Sequence, residues 1–562
     1  MVQKMFHAMY KEVRNLHQAA YILALFTFGS QLLALVRDRL LAHQFGAGVE
    51  LDLYYAAFRI PDLLYVVFAS ALSVYVLVPF VTNKLEKNGD ASAREFLSQI
   101  FTLFVYVYIA LALLIFFCAP VIVETFFSGF SGEHDTFILL MRILLVQPFL
   151  LGISSLFGVV TQMRYRFIVY AIGPLLYNVG IIVGLVALYP IVGVAGIAWG
   201  VVLGASAPLI IQLPFVAKTS LMPRLVRLRD TSNIFEVLRT SFFRALTLSL
   251  HQIVLLGLVA FASSMVSGSV AVFQFAYNLQ SVPLAIIGVS YSVAAFPHLA
   301  KLFAEKRMDV FGNYITSTLR HIIFWSLPVI VLFVVVRAQF VRSVLGTGAF
   351  DWNDTRLTAA ILALFILSLA SQAIHLLIVR ALYAVGNTRL PFFVTIFSSS
   401  ITMSVAYGMY LVLLVSDSCR LFFERLMRLE GVAGIEVLAL PIGYSVGLFA
   451  HSICILILAR KQIHISLTVF VKPLIQTAGA SLFAGYLAYS ALNYFVHVFK
   501  TDTFFSVFFQ GLLAGVVGII GFAAVQYLFK NREFFEVLRM FKKRLVKSGE
   551  VIAPQDEDML SV

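Results

Sequence analysis

One stretch decides how this chain folds: LVRDRLLAHQFGAGVELDLYYAAFRIPDLL, residues 35–64. It joins two apolar segments, near 19–43 and 53–82, through a short connection that contains Gly46 and Gly48. These glycines permit a tight reversal of the backbone. Each segment is long enough to cross the roughly 30 Å hydrocarbon core of a bilayer as a helix. We therefore interpret the stretch as a helical hairpin that carries charged residues at membrane depth.

The composition extends this interpretation to the whole chain. Of 562 residues, 61% are hydrophobic and 12% are charged. Ordinary soluble domains are about 45–50% apolar and about 25% charged, so a soluble protein of this composition would expose large apolar patches. Cys118, Cys419 and Cys454 lie far apart and form no His/Cys cluster, which predicts neither a disulfide framework nor a metal site. The formal charge of +13 then concerns membrane orientation, not nucleic-acid binding.

Apolar stretches of about 20 or more residues, each enough to span a bilayer, recur along the chain. They lie near 19–43, 53–82, 98–125, 137–160, 167–188, 193–217, 240–264, 270–299, 314–342, 357–384, 391–416, 434–459, 473–497 and 504–530. We predict an all-α integral membrane fold of about fourteen transmembrane helices, as two six-helix lobes plus two C-terminal helices.

The basic residues of the connections predict the orientation. Alternate connections and the C-terminal tail are rich in them, including Lys84, Lys87, Arg94, Arg164, Arg166, Lys218, Arg224, Arg227, Arg229, Arg239, Lys301, Lys306, Arg307, Arg532 and Lys547. By the positive-inside rule, both termini are predicted to be cytoplasmic. The connection after the eleventh stretch is the exception on the predicted outer side, because Arg420, Arg425 and Arg428 occur there, balanced by Asp417, Glu424 and Glu430.

The chain also repeats itself. The sequence GVAGI occurs at 193–197 and again at 431–435, each time at the start of an apolar stretch. We predict a parallel repeat, and such repeats usually enclose a substrate path at their interface. The predicted segments are a cytoplasmic N-terminus (1–18), an N-lobe (19–217), a cytoplasmic linker (218–239), a C-lobe (240–459), two further helices (470–530) and a cytoplasmic tail (531–562).

Ionisable residues at bilayer depth are costly unless they are paired or wet, so they indicate function. The densest group lies at the first hairpin: Arg37, Asp38, Arg39, Asp52, Arg59 and Asp62. It fits either an internally neutralised ion network or a site where Arg37 or Arg59 meets an anionic headgroup, because guanidinium pairs bidentately with phosphate. Further candidates stand largely alone: Arg142, Arg244, His251, His375, Arg380 and His451. The histidines are either packing residues or proton-coupling groups.

The stretch 35–64 resembles the signature of the MviN/MurJ family, the lipid II flippases of the multidrug/oligosaccharidyl-lipid/polysaccharide (MOP) exporter superfamily. Further similarities follow in the same order, at Gly196–Gly204, Gly288–Pro297, Gly348–Phe350 and Tyr383–Pro391. The resemblance implies a cationic central cavity that opens alternately to the two leaflets and holds the lipid pyrophosphate among arginines. Arg37, Asp38 and Asp52 match the family pattern, and Arg59 stands where a basic residue is usual. Arg244 and Arg380 are further candidates for the cavity.

Four positions depart from the pattern that the resemblance implies. Gln31, Tyr65 and Asn278 stand where cavity arginines are expected, and Ser70 lies in a segment that reads Ala69–Leu72 instead of Ala-Glu-Gly-Ala. Losing about three positive charges from a low-dielectric cavity weakens its hold on a pyrophosphate. Either Arg37, Arg244 and Arg380 suffice, or the substrate is different or less anionic.

We predict a transporter and not an enzyme: a MurJ-like flippase that moves lipid II, or a related polyprenyl-pyrophosphate glycan, from the inner to the outer leaflet by alternating access. It would serve peptidoglycan and cell-wall biogenesis, and hence cell shape, as a multi-pass monomer in the bacterial inner or plasma membrane. Its partners would be this glycolipid and membrane lipids, without cofactor or nucleic acid. Because no GxxxxGK[ST] motif occurs, an unidentified coupling ion or the membrane potential would drive it.

Three alternatives stay open. A cation-coupled exporter of another amphipath or polysaccharide lipid needs carboxylates deep in the lobes, and few occur there. An integral-membrane glycosyltransferase or polymerase would use Glu50, Asp52, Asp351 or Asp354, but usually needs a larger outer loop than this chain has. A transport-inactive membrane scaffold fits the lost arginines.

Overall fold

The computed structural model describes residues 16–228, 232–465, 471–499 and 503–546. Within those ranges the chain forms helices and no strand. A helix satisfies its own backbone hydrogen bonds where lipid supplies none. The first group, which we call the N-lobe, comprises α1 (Leu16–Phe45), α2 (Val49–Ala57), α3 (Arg59–Ala71), α4 (Val74–Phe126), α5 (His134–Leu144), α6 (Val146–Met163), α7 (Phe167–Ala171), α8 (Gly173–Val183), α9 (Tyr189–Val192) and α10 (Val194–Ala217).

The second group, which we call the C-lobe, comprises α11 (Ser232–Ser263), α12 (Ser269–Leu284), α13 (Ser290–Ala304), α14 (Met308–Leu345), α15 (Trp352–Ile366), α16 (Leu369–Ala384), α17 (Arg389–Val415), α18 (Asp417–Met427) and α19 (Ala439–Ala459). Three helices follow it: α20 (Val471–Val498), α21 (Phe504–Leu528) and α22 (Arg532–Val546). Of these, α20 and α21 pack on each other and on α14.

Ten of the described helical segments are long and apolar enough to cross a membrane, or eleven if α15 and α16, which meet at a 44° bend, form one span. The predicted all-α membrane class is confirmed, whereas the count of fourteen stays a prediction. One segment contains a break: α4 runs for 53 residues, but Gly89 inside it has φ 75° and ψ −175°. Glycine adopts this conformation readily because it has no Cβ atom.

Two of the predicted spans are less regular than continuous helices. The second is divided at Phe58 and again at Ser73, whose ψ of 144° is extended. The eighth contains a π-helical turn, Ala285–Val289, directly after Pro283, because proline removes a backbone donor and disturbs the hydrogen-bond ladder. These breaks lie in helices that pack across the lobes, since α2 packs against α12 and α3 packs against α11.

Of the clusters that the buried apolar residues form, the largest lies at one end of the bundle and the next two lie at the other end. The shared core contains residues of both lobes, such as Leu41, Phe137 and Phe350. Farther along, one core extends from Leu64 to Leu221 and another from Ala295 to Ile465, each within a single lobe. We call the end with the shared core and the turn after α1 the hairpin end, and the other end the split end. The lobes are therefore joined most firmly at the hairpin end.

Both lobes contain the same kind of close helix pair. A Cβ atom added at Gly180, on α8, would lie 2.2 Å from the Cα atom of Gly204, on α10, so these two helices touch through backbone. In the C-lobe, α19 approaches α17 in the same way at Gly443. The first glycine of each GVAGI copy has a positive φ, 63° at Gly193 and 76° at Gly431. This shared geometry supports the parallel repeat.

The predicted segment boundaries stay predictions, but described helices extend into the predicted linker and the predicted tail. The helix α11 begins at Ser232, within the predicted linker, and α22 occupies the start of the predicted tail. The predicted N-terminus lies outside the described residues up to residue 15. An ion pair attaches α22 to α14, with a side-chain oxygen of Glu533 2.5 Å from a guanidinium nitrogen of Arg320.

Candidate functional site

Arg37 lies in the part of α1 near the hairpin end and is held from two sides. Its Nε and Nη2 donate to Oδ1 of Asp38, at 2.9 and 2.7 Å. Its Nη1 donates to Oδ1 of Asn178, on α8, at 2.9 Å. Asn178 in turn donates to Oγ of Ser30 at 3.2 Å and to the carbonyl oxygen of Pro174 at 3.1 Å. The guanidinium is therefore positioned within the N-lobe.

Asp38 forms a hydrogen bond with the C-lobe. Its Oδ2 accepts from Nδ2 of Asn278, on α12, at 2.9 Å. Oδ1 of Asn278 accepts from Nε2 of Gln274, one turn earlier, at 2.6 Å. Oε1 of Gln274 accepts from Nη2 of Arg59, on α3 of the N-lobe. This continuous set, which we call the interlobe network, consists of Asn178, Arg37, Asp38, Asn278, Gln274 and Arg59.

The interlobe network is buried or half-buried, and Asp62, which lies beside it, completes its charge balance. Asp38 is 2% exposed and Arg59 is 6% exposed. Buried ions need partners, because the interior does not solvate them. Arg37 has Asp38, and Arg59 interacts electrostatically with Asp62, which hydrogen-bonds Gln147. Two positive and two negative groups thus offset each other. Of the two interpretations that the sequence left open, the neutralised ion network describes this structure, and headgroup binding stays a prediction.

Asp52 connects the lobes through a helix terminus. Its Oδ2 accepts from the N–H of Gly268 at 2.6 Å, and its Oδ1 accepts from the N–H of Ala271 at 2.7 Å. Both donors belong to the start of α12, where backbone N–H groups have no partner within the helix. A carboxylate here satisfies those donors and complements the helix dipole. A residue of α2 thereby caps a helix of the other lobe.

Backbone contacts close the rest of the hairpin end. The N–H of Ala349 donates to the carbonyl oxygen of His43 at 2.9 Å. The N–H of Ala47 donates to Oδ2 of Asp354 at 3.2 Å. We call this set the hairpin latch; it consists of His43, Ala47 and Asp52 of the N-lobe with Gly268, Ala349 and Asp354 of the C-lobe. The latch and the interlobe network together hold the lobes closed at this end.

Comparison with known proteins assigns the fold and the family. The family model of the lipid II flippase MurJ matches residues 41–510. The chain belongs to the MurJ family. The lipid II flippase MurJ of Burkholderia cenocepacia is 24% identical over 491 residues, covering 85% of this chain and 91% of that protein. A family of flippases is a family of membrane transporters and not of enzymes.

Two solved structures share the fold. The lipid II flippase MurJ in an inward closed conformation aligns with a TM-score of 0.70 and 22% identity, covering 91% of this chain and 100% of that one. An inward-facing multidrug resistance MATE family transporter of the MOP superfamily aligns with a TM-score of 0.64 and 14% identity, covering 77% and 94%. The family model confirms the predicted MurJ-family membership, and these two structures show that the fold is shared with a MurJ and with a MATE transporter.

The structure shows what occupies the four positions that depart from the MurJ-family pattern. Asn278 belongs to the interlobe network. Tyr65 hydrogen-bonds the side chain of Ser155. Ser70 donates to a backbone carbonyl of its own helix at 2.9 Å, and Gln31 is half-buried in α1. All four are uncharged, so none replaces the positive charge that the MurJ pattern implies.

The other predicted cations lie apart from the interlobe network. Arg244, in the part of α11 near the split end, lies over the ring of Tyr383 at 5.9 Å. Arg380 precedes Tyr383 by three residues and shares its face of α16. Arg142 stacks on an aromatic ring of α4 at 4.4 Å. The structure therefore brings Arg37 and Arg59 into one network and places Arg244 and Arg380 nearer the split end, outside that network.

The carboxylates of the enzymatic alternative have structural partners in this MurJ-family chain. Asp351 and Asp354 form a reciprocal capping box at the start of α15. Glu50 accepts a hydrogen bond from the hydroxyl of Tyr189 at 3.3 Å. Asp52 caps α12. These roles agree with a transporter, in which the acids organise helix ends.

Sequence reasoning missed the amides of the site. Asn178 and Gln274 complete the interlobe network, yet only their position in apolar stretches distinguishes them in the sequence. An unpaired amide costs free energy in a water-free interior, so each predicts a partner. It does not predict which one, because the partners of Asn178 and Gln274 lie 141 and 215 residues away.

Proposed function

We propose that this chain moves lipid II, or a related polyprenyl-pyrophosphate glycan, from the inner to the outer leaflet by alternating access of its two lobes. Membership of the MurJ family supports the substrate class. The observation that carries the mechanism is the interlobe network: its contacts between lobes are hydrogen bonds, which water or a phosphate oxygen can replace. The closed end is thus joined by contacts that water or the lipid can replace during opening.

We assign the hairpin end to the outer face of the membrane and both termini to the cytoplasm. Exposed basic residues mark the split end, such as Lys87, Arg224 and Lys301, whereas hairpin-end connections carry Glu133 and Asp351. The positive-inside rule places the basic end in the cytoplasm. In this orientation the structure is closed toward the outer leaflet, and the two separate cores face the side from which the lipid is loaded.

Opening the hairpin end breaks the hydrogen bonds that join the residues around the two arginines to the C-lobe. When the lobes part, Asp38 loses Asn278, and Arg59 loses Gln274. The guanidinium of Arg59 then has no C-lobe partner and can pair with the pyrophosphate, whose oxygens match its bidentate geometry, whereas Arg37 pairs with the lipid only by exchanging Asp38 of its own lobe. Because Arg37 keeps Asn178 on its own lobe, it stays oriented during the exchange. The network thus serves as the resting partner that the lipid headgroup displaces.

The charge balance of the network suggests how the membrane potential drives the cycle. With Asp38 and Asp62 beside Arg37 and Arg59, the site is nearly neutral when no lipid is bound. The empty transporter therefore returns to its starting arrangement with little work against the membrane potential. The loaded site carries the negative charge of the pyrophosphate. Moving one charge across the membrane is worth about 2.3 kcal/mol per 100 mV. An inside-negative potential therefore favours outward movement of the anionic lipid.

Reconstituted vesicles test the proposal. Labelled undecaprenyl-pyrophosphate glycolipid is followed between leaflets for the natural protein, for Arg37→Ala, and for Arg142→Ala as a matched control outside the interlobe network. We expect exchange by the natural protein and the control, with Arg37→Ala slowed by about ten- to a hundredfold, the effect of one charge-assisted contact. Exchange equal to that of protein-free vesicles would refute the flippase; full activity of Arg37→Ala would refute only the site.

A second candidate is a transport-inactive scaffold, which one observation favours. The arginines at the site are neutralised by acids, and Gln31, Tyr65 and Asn278 supply no further positive charge. A scaffold would show no lipid exchange and would retain its cellular role when Arg37 is replaced by alanine. The same vesicle assay, combined with cell growth on Arg37→Ala as the sole copy, therefore separates the two candidates.

A further inference from the structure

Two histidines that stand alone in the sequence form a pair inside the C-lobe. Nδ1 of His375, on α16, lies 2.6 Å from Nε2 of His451, on α19. Nδ1 of His451 lies 2.9 Å from Oγ of Ser398, on α17. Ser398 donates to the carbonyl oxygen of Thr395 at 3.0 Å. His451 is 2% exposed, and His375 is half-buried. We call His375, His451 and Ser398 the histidine chain.

The directions of these bonds leave one nitrogen able to take a proton. With the Ser398 hydroxyl donating to a carbonyl, its oxygen accepts from Nδ1–H of His451. Nε2 of His451 is then unprotonated and accepts from Nδ1–H of His375. Nε2 of His375 remains as the basic nitrogen, on the less buried of the two rings. The histidine chain is neutral in this arrangement and can gain one proton without losing a hydrogen bond.

The surroundings suit a proton better than a metal cation. Residues 237–304, 355–416 and 437–501 contain no aspartate or glutamate. The helices around the histidine chain therefore offer no carboxylate at membrane depth. Hard metal cations bind through oxygen ligands, carboxylates above all, whereas imidazole takes up a proton near neutral pH. The chemistry of these helices thus favours proton binding.

The other titratable and charged groups nearby are neutral or positive. They are His251 on α11, Tyr277 on α12, Tyr444 and Cys454 on α19, Arg380 on α16 and Arg59 on α3 of the N-lobe. His251 interacts electrostatically with both histidines of the chain, and Arg59 interacts with His251. A proton added at His375 creates a positive charge without a counter-ion. Such a charge is tolerated where water reaches it.

The histidine chain is joined to the lobe interface through two helices. Gln372 lies one turn before His375 on α16, and its Nε2 donates to Oε1 of Gln280 at 3.0 Å. Gln280 lies on α12, which also carries Gln274 and Asn278 of the interlobe network. A charge on His375 thus acts next to the helix whose position determines the contact between the lobes.

We propose that the His375–His451 pair is a proton-binding site and that proton uptake there shifts the equilibrium between lobe arrangements. The inference deepens the proposed function and rests on it in one respect, since it requires lobes that move. A proton that binds one arrangement more tightly than another favours that arrangement by linkage. The favoured arrangement is the one in which water reaches His375, because water stabilises the added charge. The proton is then the coupling ion of the transporter.

The first test observes the protons directly. The full-length protein, labelled with ¹⁵N-histidine and held in lipid nanodiscs, is titrated by NMR, with His375→Gln and His451→Gln assigning the signals. We expect one proton to bind to the pair as the pH is lowered through the range in which the protein stays folded, and the remaining histidine of each variant to titrate differently. A pair that binds no proton over that range overturns the proposal.

The second test measures the lobes without any lipid substrate. Spin labels at Asn88→Cys and Lys306→Cys, exposed positions on the two lobes at the split end, report the distance between them after Cys118, Cys419 and Cys454 are replaced by serine. We expect the distances to change with pH. The change is lost in His375→Gln and His451→Gln, and it is kept in His298→Gln, a matched C-lobe histidine whose ring packs on Tyr314 at 4.5 Å.

The outcomes separate this inference from the proposed function. A pH response retained in both glutamine variants, after their folding is verified by size exclusion and helical circular dichroism, overturns the proton site. If the pair titrates and moves the lobes while labelled lipid never exchanges, the proton site stands and the flippase is wrong. If lipid exchanges but the pair does not titrate, the flippase stands and the proton site is wrong.

Discussion

At the scale of single residues, the hairpin end depends on a few polar groups that each meet a partner in the other lobe. Asp52 satisfies two N–H groups at the start of α12, and Asp38 meets Asn278. Such groups contribute through directed hydrogen bonds to particular atoms rather than through buried area. Their replacement should therefore change the closed state more than it changes the helices themselves.

Replacing Asp52 tests the cap. Asp52→Ala leaves the N–H groups of Gly268 and Ala271 without their acceptor, and we expect a loss of about 1–2 kcal/mol, seen as a lower apparent melting temperature in detergent. Asp52→Asn keeps one acceptor and should lose less. Glu50→Ala, which removes an exposed carboxylate of the same helix, is the control. Equal melting of all three variants would show that the cap does not stabilise the protein.

Asn278→Arg tests the missing positive charge. The new guanidinium lies beside Asp38, and the site gains one net positive charge. We expect the affinity for labelled undecaprenyl pyrophosphate to rise by about tenfold, the effect of one charge-assisted contact, as measured by equilibrium binding in nanodiscs. Asn278→Gln, a longer but neutral side chain, should show no gain. An unchanged affinity of Asn278→Arg would mean that the pyrophosphate binds elsewhere.

At the scale of helices, close backbone contact sets which faces meet. The N-lobe pair α8–α10 is in contact through Gly180 and Gly204, and the π-helical turn Gly184–Leu188 after α8 meets α10 at Gly200. Helices pack closely in membranes where small residues line the interface. The glycine pattern also positions Asn178, which lies on α8, toward α1 and Arg37. Helix packing therefore positions the residues of the site.

Substitution by alanine distinguishes glycines in close helix contacts from glycines that face open space. Gly200→Ala places a Cβ atom 2.4 Å from Gly184, so the helices must separate, and we expect a destabilisation of about 1–3 kcal/mol. Gly408→Ala on α17 is the matched control, because a Cβ there meets nothing within 4 Å and alanine favours helix. Thermal unfolding followed by fluorescence-detected size exclusion checks both. Similar melting of the two variants contradicts the packing.

At the scale of the whole molecule, two lobes share one apolar core at the hairpin end and have separate cores at the split end. Alternating access requires that the shared end also opens. His43 lies against Thr347 across the lobes, with Nδ1 3.0 Å from Oγ1. A reversible cross-link at this contact can therefore block the separation of the two lobes and then restore it.

A reversible cross-link tests whether the lobes must part. With the three native cysteines replaced by serine, His43→Cys and Thr347→Cys are joined by a short bis-thiosulfonate reagent. We expect lipid exchange in vesicles to stop after cross-linking and to return after reduction. A cross-link within the C-lobe, between His298→Cys and Tyr314→Cys, should leave exchange intact. Continued exchange in the cross-linked interlobe protein would exclude opening at the hairpin end.

The sequence by itself determined that the protein lies in a lipid bilayer, that it is helical, which family it belongs to, and which residues form the first hairpin. These follow from local features: the length of apolar stretches, the position of basic residues and the motif at 35–64. It also marked Arg37, Asp38 and Asp52 as important without showing what they bind. The departures at Gln31, Tyr65 and Asn278 were visible for the same reason, because a substituted charge can be read at a single position.

Only the tertiary structure decided the partners. Asp38 meets Asn278 across 240 residues, and His375 meets His451 across 76. In an apolar helix every buried polar group needs a partner, but many distant groups meet that need equally well. The choice depends on how the helices pack and where they break, and packing depends on contacts among all the helices together. The sequence shows that these groups must pair, and the packing of the lobes selects the pairs.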